Sequence, residues 1–120
     1  MTLGEKQRLF AELVGQLITW IYNHERQYAV TFGDAYRDPR AFGQLGESVM
    51  YGRKYSNHKI RLAIDLNLFI RDESGRWVYQ TSTEAHRPIG EYWESLSPLC
   101  SWGGHFDDGN HYSIEHEGRR

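Results

Sequence analysis

Near the start of the chain, apolar residues recur at three- and four-residue intervals: Leu3, Phe10, Leu13, Val14, Leu17, Ile18 and Ile21. That period predicts an amphipathic helix over residues 3–23. Thr2 and Glu5 stand where a T-x-x-E capping box would open it. Tyr28-Ala-Val-Thr-Phe32 then reads as a short strand stopped by Gly33. Residues 34–56 carry no clean period and are rich in Gly, Asp, Arg and Tyr, and loops of that length are often functional. Leu62, Ile64, Leu66, Leu68 and Ile70 alternate with Ala63, Asp65, Asn67 and Phe69. This predicts a strand with one aliphatic face and one face carrying Asp65 and Asn67. Asp72-Glu-Ser-Gly75 predicts a turn, and residues 76–80 can pair back as a hairpin. Pro88 suits the first turn of a short helix with Ile89, Tyr92, Trp93 and Leu96 on one face, ended by Ser97-Pro98. Trp102-Gly-Gly104 reads as a break or bulge, residues 111–115 as a last strand, and residues 117–120 as a frayed tail.

Helices and strands adjoin without a regular βαβ alternation. The expected fold class is α+β, a small and mostly antiparallel sheet packed against the N-terminal helix and the short later helix. A length of 120 residues fits one domain over 1–120, expected to be monomeric. No apolar run approaches the ~20 residues of a membrane helix, so no membrane insertion is expected. The start lacks a basic segment followed by an apolar block, so no signal peptide is expected and synthesis is cytoplasmic. Cys100 is the sole cysteine, which rules out an internal disulfide framework and a Cys-rich zinc finger. A formal charge of −2 argues against nucleic acid as a partner. The charge is uneven: residues 1–60 carry eight Lys/Arg against six Asp/Glu, and residues 61–120 carry six against ten. The basic excess gathers at Arg53, Lys54, Lys59 and Arg61, either a solvated loop or the flank of a site for an acidic ligand.

Two segments carry candidate chemistry: Ser56-Asn-His58-Lys-Ile-Arg-Leu-Ala63-Ile-Asp65 and Trp102-Gly-Gly104-His-Phe-Asp107-Asp108-Gly-Asn-His111. His58 and Asp65 are seven apart and would face opposite sides of one straight strand. They can meet at one metal if His58 lies on the incoming turn, which the onset of alternation at Leu62 allows. Asp65 sits on the non-core face, where a covered carboxylate needs a metal or a cation, or is simply hydrated. Asp108 precedes His111 by three residues beside Gly109, which also suits an ordinary polar turn. A zinc hydrolase needs three protein ligands, an open fourth position and a nearby carboxylate to take a proton from water. His58, Asp65 and His111 can supply the ligands and Asp108 the base. Competing ligands are His24, His86, His105, His116 and Cys100.

Taken together, Ser56-x-His58-x-x-x-x-Ala63-x-Asp65 and Trp102-Gly-Gly104…Asp108-x-x-His111 resemble the zinc peptidases of the D-alanyl-D-alanine carboxypeptidase and L-alanyl-D-glutamate endopeptidase family, the short bacteriophage endolysins most of all. The likeness runs from about Tyr28 to Tyr112. It implies a zinc enzyme that hydrolyses peptide bonds of peptidoglycan stems and acts on the cell wall after release from the host cytoplasm. It implies His58, Asp65 and His111 as zinc ligands and Asp108 as the proton-transfer group, with Asp107 a rival. Arg37 best matches the family's charge-stabilising arginine, with Arg40 and Arg53 as fallbacks. Ser56, Arg61 and Trp102 are expected to contact substrate, and Lys54 and Lys59 to attract its carboxylates. Tyr92 is a further candidate for the cleft wall, and Trp93 for the core. A D-Ala-D-Ala carboxypeptidase or dipeptidase is the alternative enzyme. The same fold is similar to the hedgehog signalling domain, so a zinc-containing binding module without turnover is the alternative from another class.

Overall fold

The computed structural model describes residues 1–23, 27–36 and 56–120. Helix α1 spans Leu3–Asn23 and buries Phe10, Leu13, Leu17 and Ile21, the apolar stripe that the sequence period marks. Its start is the reciprocal box: Glu5 N–H donates to Thr2 Oγ1 at 3.1 Å, and Thr2 N–H to Glu5 Oε1 at 2.9 Å.

The described strands are β1 (Tyr28–Phe32), β2 (Ala63–Arg71), β3 (Trp77–Tyr79), β4 (Cys100–Trp102) and β5 (His111–Ile114), all paired antiparallel. The sheet order is β1-β2-β5-β4, with β3 also pairing to β2. Helix α2, Arg87–Leu96, has Pro88 in its first turn, as expected. The architecture is therefore α+β, with two α-helices and a small antiparallel sheet among the described residues.

Strand β2 organises the molecule. Leu66 and Leu68 join Leu17, Ile21, Ile89 and Trp93 in the core. Register gives β5 the same division, since Ile64 opposes Tyr112 on the core face while Asp65 opposes His111 on the other. Trp93 meets Phe10 edge-on at 5.9 Å, and its indole N–H is shared between the Ser101 and Ser113 carbonyls at 3.2 and 3.1 Å. The buried Trp93 is thus hydrogen-bonded as well as packed.

Three expectations need correction here. The last strand ends at Ile114 rather than at residue 115. Residues 117–120 are not frayed: His116 and Arg119 exchange backbone hydrogen bonds of 2.9 Å, and Asn57 donates to the Arg119 carbonyl at 3.0 Å. The tail is fastened because its carbonyl satisfies a buried amide. Trp102 does not line a cleft. It lies on the core face opposite Tyr112, is 1% exposed, and donates to the Gly109 carbonyl at 2.7 Å.

Two glycines make room for that indole. A Cβ on Gly90 or on Gly104 would fall 2.2 Å from a Trp102 ring carbon. Gly15, in the middle of α1, has nothing within 4 Å of the same point. The same substitution should therefore have opposite signs. Gly15→Ala is expected to stabilise by about 0.5–1 kcal/mol through helix propensity. Gly90→Ala is expected to cost about 2 kcal/mol through overpacking, despite its helical position. Thermal unfolding checks both: Tm rises a few degrees for Gly15→Ala and falls by roughly 8 °C for Gly90→Ala.

Candidate metal centre

Ser56 caps a single 3-10 turn, Asn57–Ile60, its hydroxyl accepting from the His58 N–H at 3.2 Å. Arg61 follows in the left-handed region at φ 60, and the Leu62 N–H returns to the Asn57 carbonyl at 2.9 Å. This reversal is what lets His58, seven residues before Asp65, turn back onto the Asp65 face of β2. Asp65 itself is held by two backbone bonds of 2.8 Å to the segment that follows β1, from Gly33 N–H to its carbonyl and from its own N–H to the Asp34 carbonyl. A Cβ at Gly33 would stand 3.1 Å from the Asp65 Cβ, so glycine lets the end of β1 close over this position.

His111 opens β5 directly across from Asp65. The preceding loop is a 3-10 turn, Gly103–Phe106, closed by Asp107 at φ 60. Asp108 N–H donates to Gly103 O at 2.9 Å, and His111 N–H to Asp108 O at 3.1 Å. Gly103 is needed for that closure, because a Cβ there would lie 2.2 Å from Asp108 O and 2.7 Å from the His111 Cβ.

The result is a compact cluster. His58 Nε2 is 3.2 Å from Asp65 Oδ1, and His111 Nδ1 is 3.5 Å from the same oxygen. One ligand atom from each of the three residues lies within 4.8 Å of the others. His58 and His111 are 1% and 2% exposed. Both ring nitrogens of His58 and Nε2 of His111 are buried without a hydrogen-bond partner. Such orphaned atoms cost about 1–3 kcal/mol each. A divalent ion taking an imidazole lone pair from each ring and one carboxylate oxygen removes part of that cost. Two imidazoles and a carboxylate also match the donor chemistry of a catalytic site with one open position. The residues therefore fit a metal. Burial pushes the Asp65 carboxyl upward, but the His111 and His58 rings outweigh it and hold the group far below the usual carboxylate range, ready as an anion.

Asp108 stands outside the ligand cluster, beside a polar cavity of about 220 Å³ between the β3–α2 loop and the Asp107–Asn110 loop. Asp107 faces the β3–α2 loop, its Oδ1 accepting from the Thr83 hydroxyl at 3.1 Å. Ser56 is committed as a turn cap, and Lys59 is buried. The Arg61 guanidinium sits over the Tyr36 ring, 4.0 Å from its centroid. Tyr92 stacks on Trp20 at 4.5 Å. Among the rival ligands, His105 pairs with Glu94 at 2.8 Å, His116 lies by Lys6, and Cys100 is on the core face. Burial and the Glu94 charge push the Cys100 thiol up to about 12, so it stays protonated and poorly nucleophilic. Arg37, Arg40, Arg53, Lys54 and His24 lie outside the described residues.

Two residues make buried polar contacts that the sequence did not reveal. Asn57 is 1% exposed and donates to the Ile114 and Arg119 carbonyls, tying the His58 turn to β5 and to the tail. His86, one of the rival ligands, is buried against the Tyr112 hydroxyl at 3.4 Å, and burial pushes its pKa down. The Asn57 acceptors are backbone carbonyls, which leave no trace in side-chain pattern.

A family model described as D-alanyl-D-alanine carboxypeptidase matches residues 51–114, just over half of the chain. That span contains all three clustered residues and Asp108. A comparison with curated proteins returned no match.

Metal binding should appear as stability. For chain stripped of metal, a divalent transition ion at about 100 times its Kd is expected to add roughly 2.7 kcal/mol and raise Tm by roughly 10 °C. His111→Ala should abolish that rise, whereas His105→Ala should keep it.

Proposed function

We propose that this chain, which belongs to the D-alanyl-D-alanine carboxypeptidase family, is a zinc peptidase that cuts the stem peptides of bacterial peptidoglycan. The observation that carries the reading is the buried His58–Asp65–His111 cluster, with a separate carboxylate, Asp108, three residues before one of its members. A pure binding module has no need of a proton acceptor beside such a cluster.

When bound, zinc supplies a Lewis acid that polarises the scissile carbonyl and lowers the pKa of water toward ~7. The chain's own groups do the rest. His58, Asp65 and His111 would hold the ion, Asp65 through its carboxylate. The Asp108 carboxylate accepts the proton of the attacking water and passes it to the departing amine. The oxyanion that forms needs a fixed positive partner, and Arg37 is the residue proposed for it. Ser56 shapes the site through the His58 turn rather than by touching substrate.

The bond proposed is the one between L-alanine and D-glutamate, which makes the protein an endolysin of a phage or prophage, synthesised in the host cytoplasm and active on the wall after release. Cleavage of a D-Ala-D-Ala terminus is the second reading, and the description of the matching family favours it.

Purified peptidoglycan digested with zinc-loaded protein should yield new amino termini at D-glutamate, read by mass spectrometry. A chelator should stop the digestion and zinc restore it. Asp108→Asn should lower kcat by at least about 100-fold with metal binding retained, the scale of a lost general base. Full activity of Asp108→Asn would remove that residue from the mechanism. Release of D-alanine alone would transfer the assignment to the carboxypeptidase.

A further inference from the structure

The Asp65 face of β2 does not stop at the metal cluster. Asn67, Phe69 and Arg71 follow on the same face, and register aligns Thr31, Tyr79 and Trp77 beside them. Asn67 donates to the Thr31 hydroxyl at 3.3 Å, so an amide and a hydroxyl lie next to Asp65. Beyond them the Phe69 and Tyr79 rings meet at 5.5 Å, and Trp77 follows with the Arg71 guanidinium 5.9 Å from its centroid. Tyr79 and Trp77 are 51% and 49% exposed. Tyr79 also lines the polar cavity beside Asp108. Exposed aromatics grouped in this way on a three-residue strand contribute little to the core and leave apolar surface for a partner to cover.

We propose that this face, from Asn67 through Phe69 and Tyr79 to Trp77, binds the N-acetylated amino-sugar rings of the glycan strand from which the stem peptide hangs. The proposal rests on the peptidase reading above. The alternation of flat aromatic rings with a neutral amide and hydroxyl suits sugars, whose C–H faces lie on aromatic rings while their hydroxyl and acetamido groups take hydrogen bonds. The lengths agree as well. Same-face residues advance roughly 6.8 Å along a strand, so Phe69 lies roughly 13 Å from Asp65. A peptide advances roughly 3.5 Å per residue, and only one alanine and a lactyl ether separate the proposed scissile bond from the sugar. The first ring then falls near Asn67 and the next over Phe69 and Tyr79. The substrate is accordingly the glycan-attached stem, with free peptide a poorer one.

The test compares the zinc-loaded protein with its Trp77→Ala variant on two substrates, wall fragments with stems attached and the same stems released from glycan. The ratio of kcat/KM on attached over free stems should fall about tenfold in the variant, carried by KM. Titration with N-acetylglucosamine tetramer should perturb the NMR signals of Phe69, Tyr79 and Trp77 in the wild type. An unchanged ratio, or equal loss on both substrates as a peptide-binding or structural role would give, overturns the proposal. Absence of tetramer-induced shifts at these residues also overturns it. Failure of the wild type to cleave either substrate overturns the peptidase reading, and the sugar titration still decides the surface.

Discussion

Two buried imidazoles and one partly buried carboxylate are packed within 4.8 Å, and Nδ1 of His58 and Nε2 of His111 have no hydrogen-bond partner. Without a cation this is an unfavourable place to leave polar atoms; with one it is a ligand set. Much of the fold serves to make that cluster. The 3-10 turn reverses the chain so that His58 faces Asp65, the β2–β5 register puts His111 opposite, and Gly33 and Gly103 let the backbone close in from both sides. The core on the other face of the sheet holds β2 and β5 rigid, so three ligands from distant points of the chain share one geometry.

The division of labour between the faces of β2 explains most of the molecule. Leucines at alternate positions anchor the strand to α1 and α2, and Asp65, Asn67 and Phe69 lie on the opposite face. Hydroxyls, amides, carboxylates and His86 line the cavity by Asp108, while Arg61 lies over Tyr36 and Arg87 pairs with Glu84. Asp65 is kept anionic by its two histidine neighbours, which suits a ligand, whereas Asp108, the proposed base, stands outside the cluster.

Much of this was legible in the sequence, and the physics of each element says why. Helix α1 could be read from period and capping box, because both are local and side-chain based. Strand β2 could be read because alternation is strong over nine residues, and His58 could be placed on the incoming turn from the parity of a seven-residue offset. Trp102 could not be placed, since a three-residue strand has no period of its own and its face is decided by pairing with Tyr112. The tail was misjudged because its anchor is a backbone carbonyl taken by Asn57. Lys59 looked like a free cation, yet it lies on the turn that buries His58. Spacing found the candidate ligands; only tertiary contact showed which polar neighbours were already committed.

X-ray absorption spectroscopy of stoichiometrically metallated protein tests the central claim most directly. One zinc per chain, with imidazole and carboxylate scatterers at about 2.0–2.2 Å and no sulfur shell, is the expected result. A sulfur shell at about 2.3 Å, or no tightly held zinc in the folded protein, would contradict a centre built from His58, Asp65 and His111.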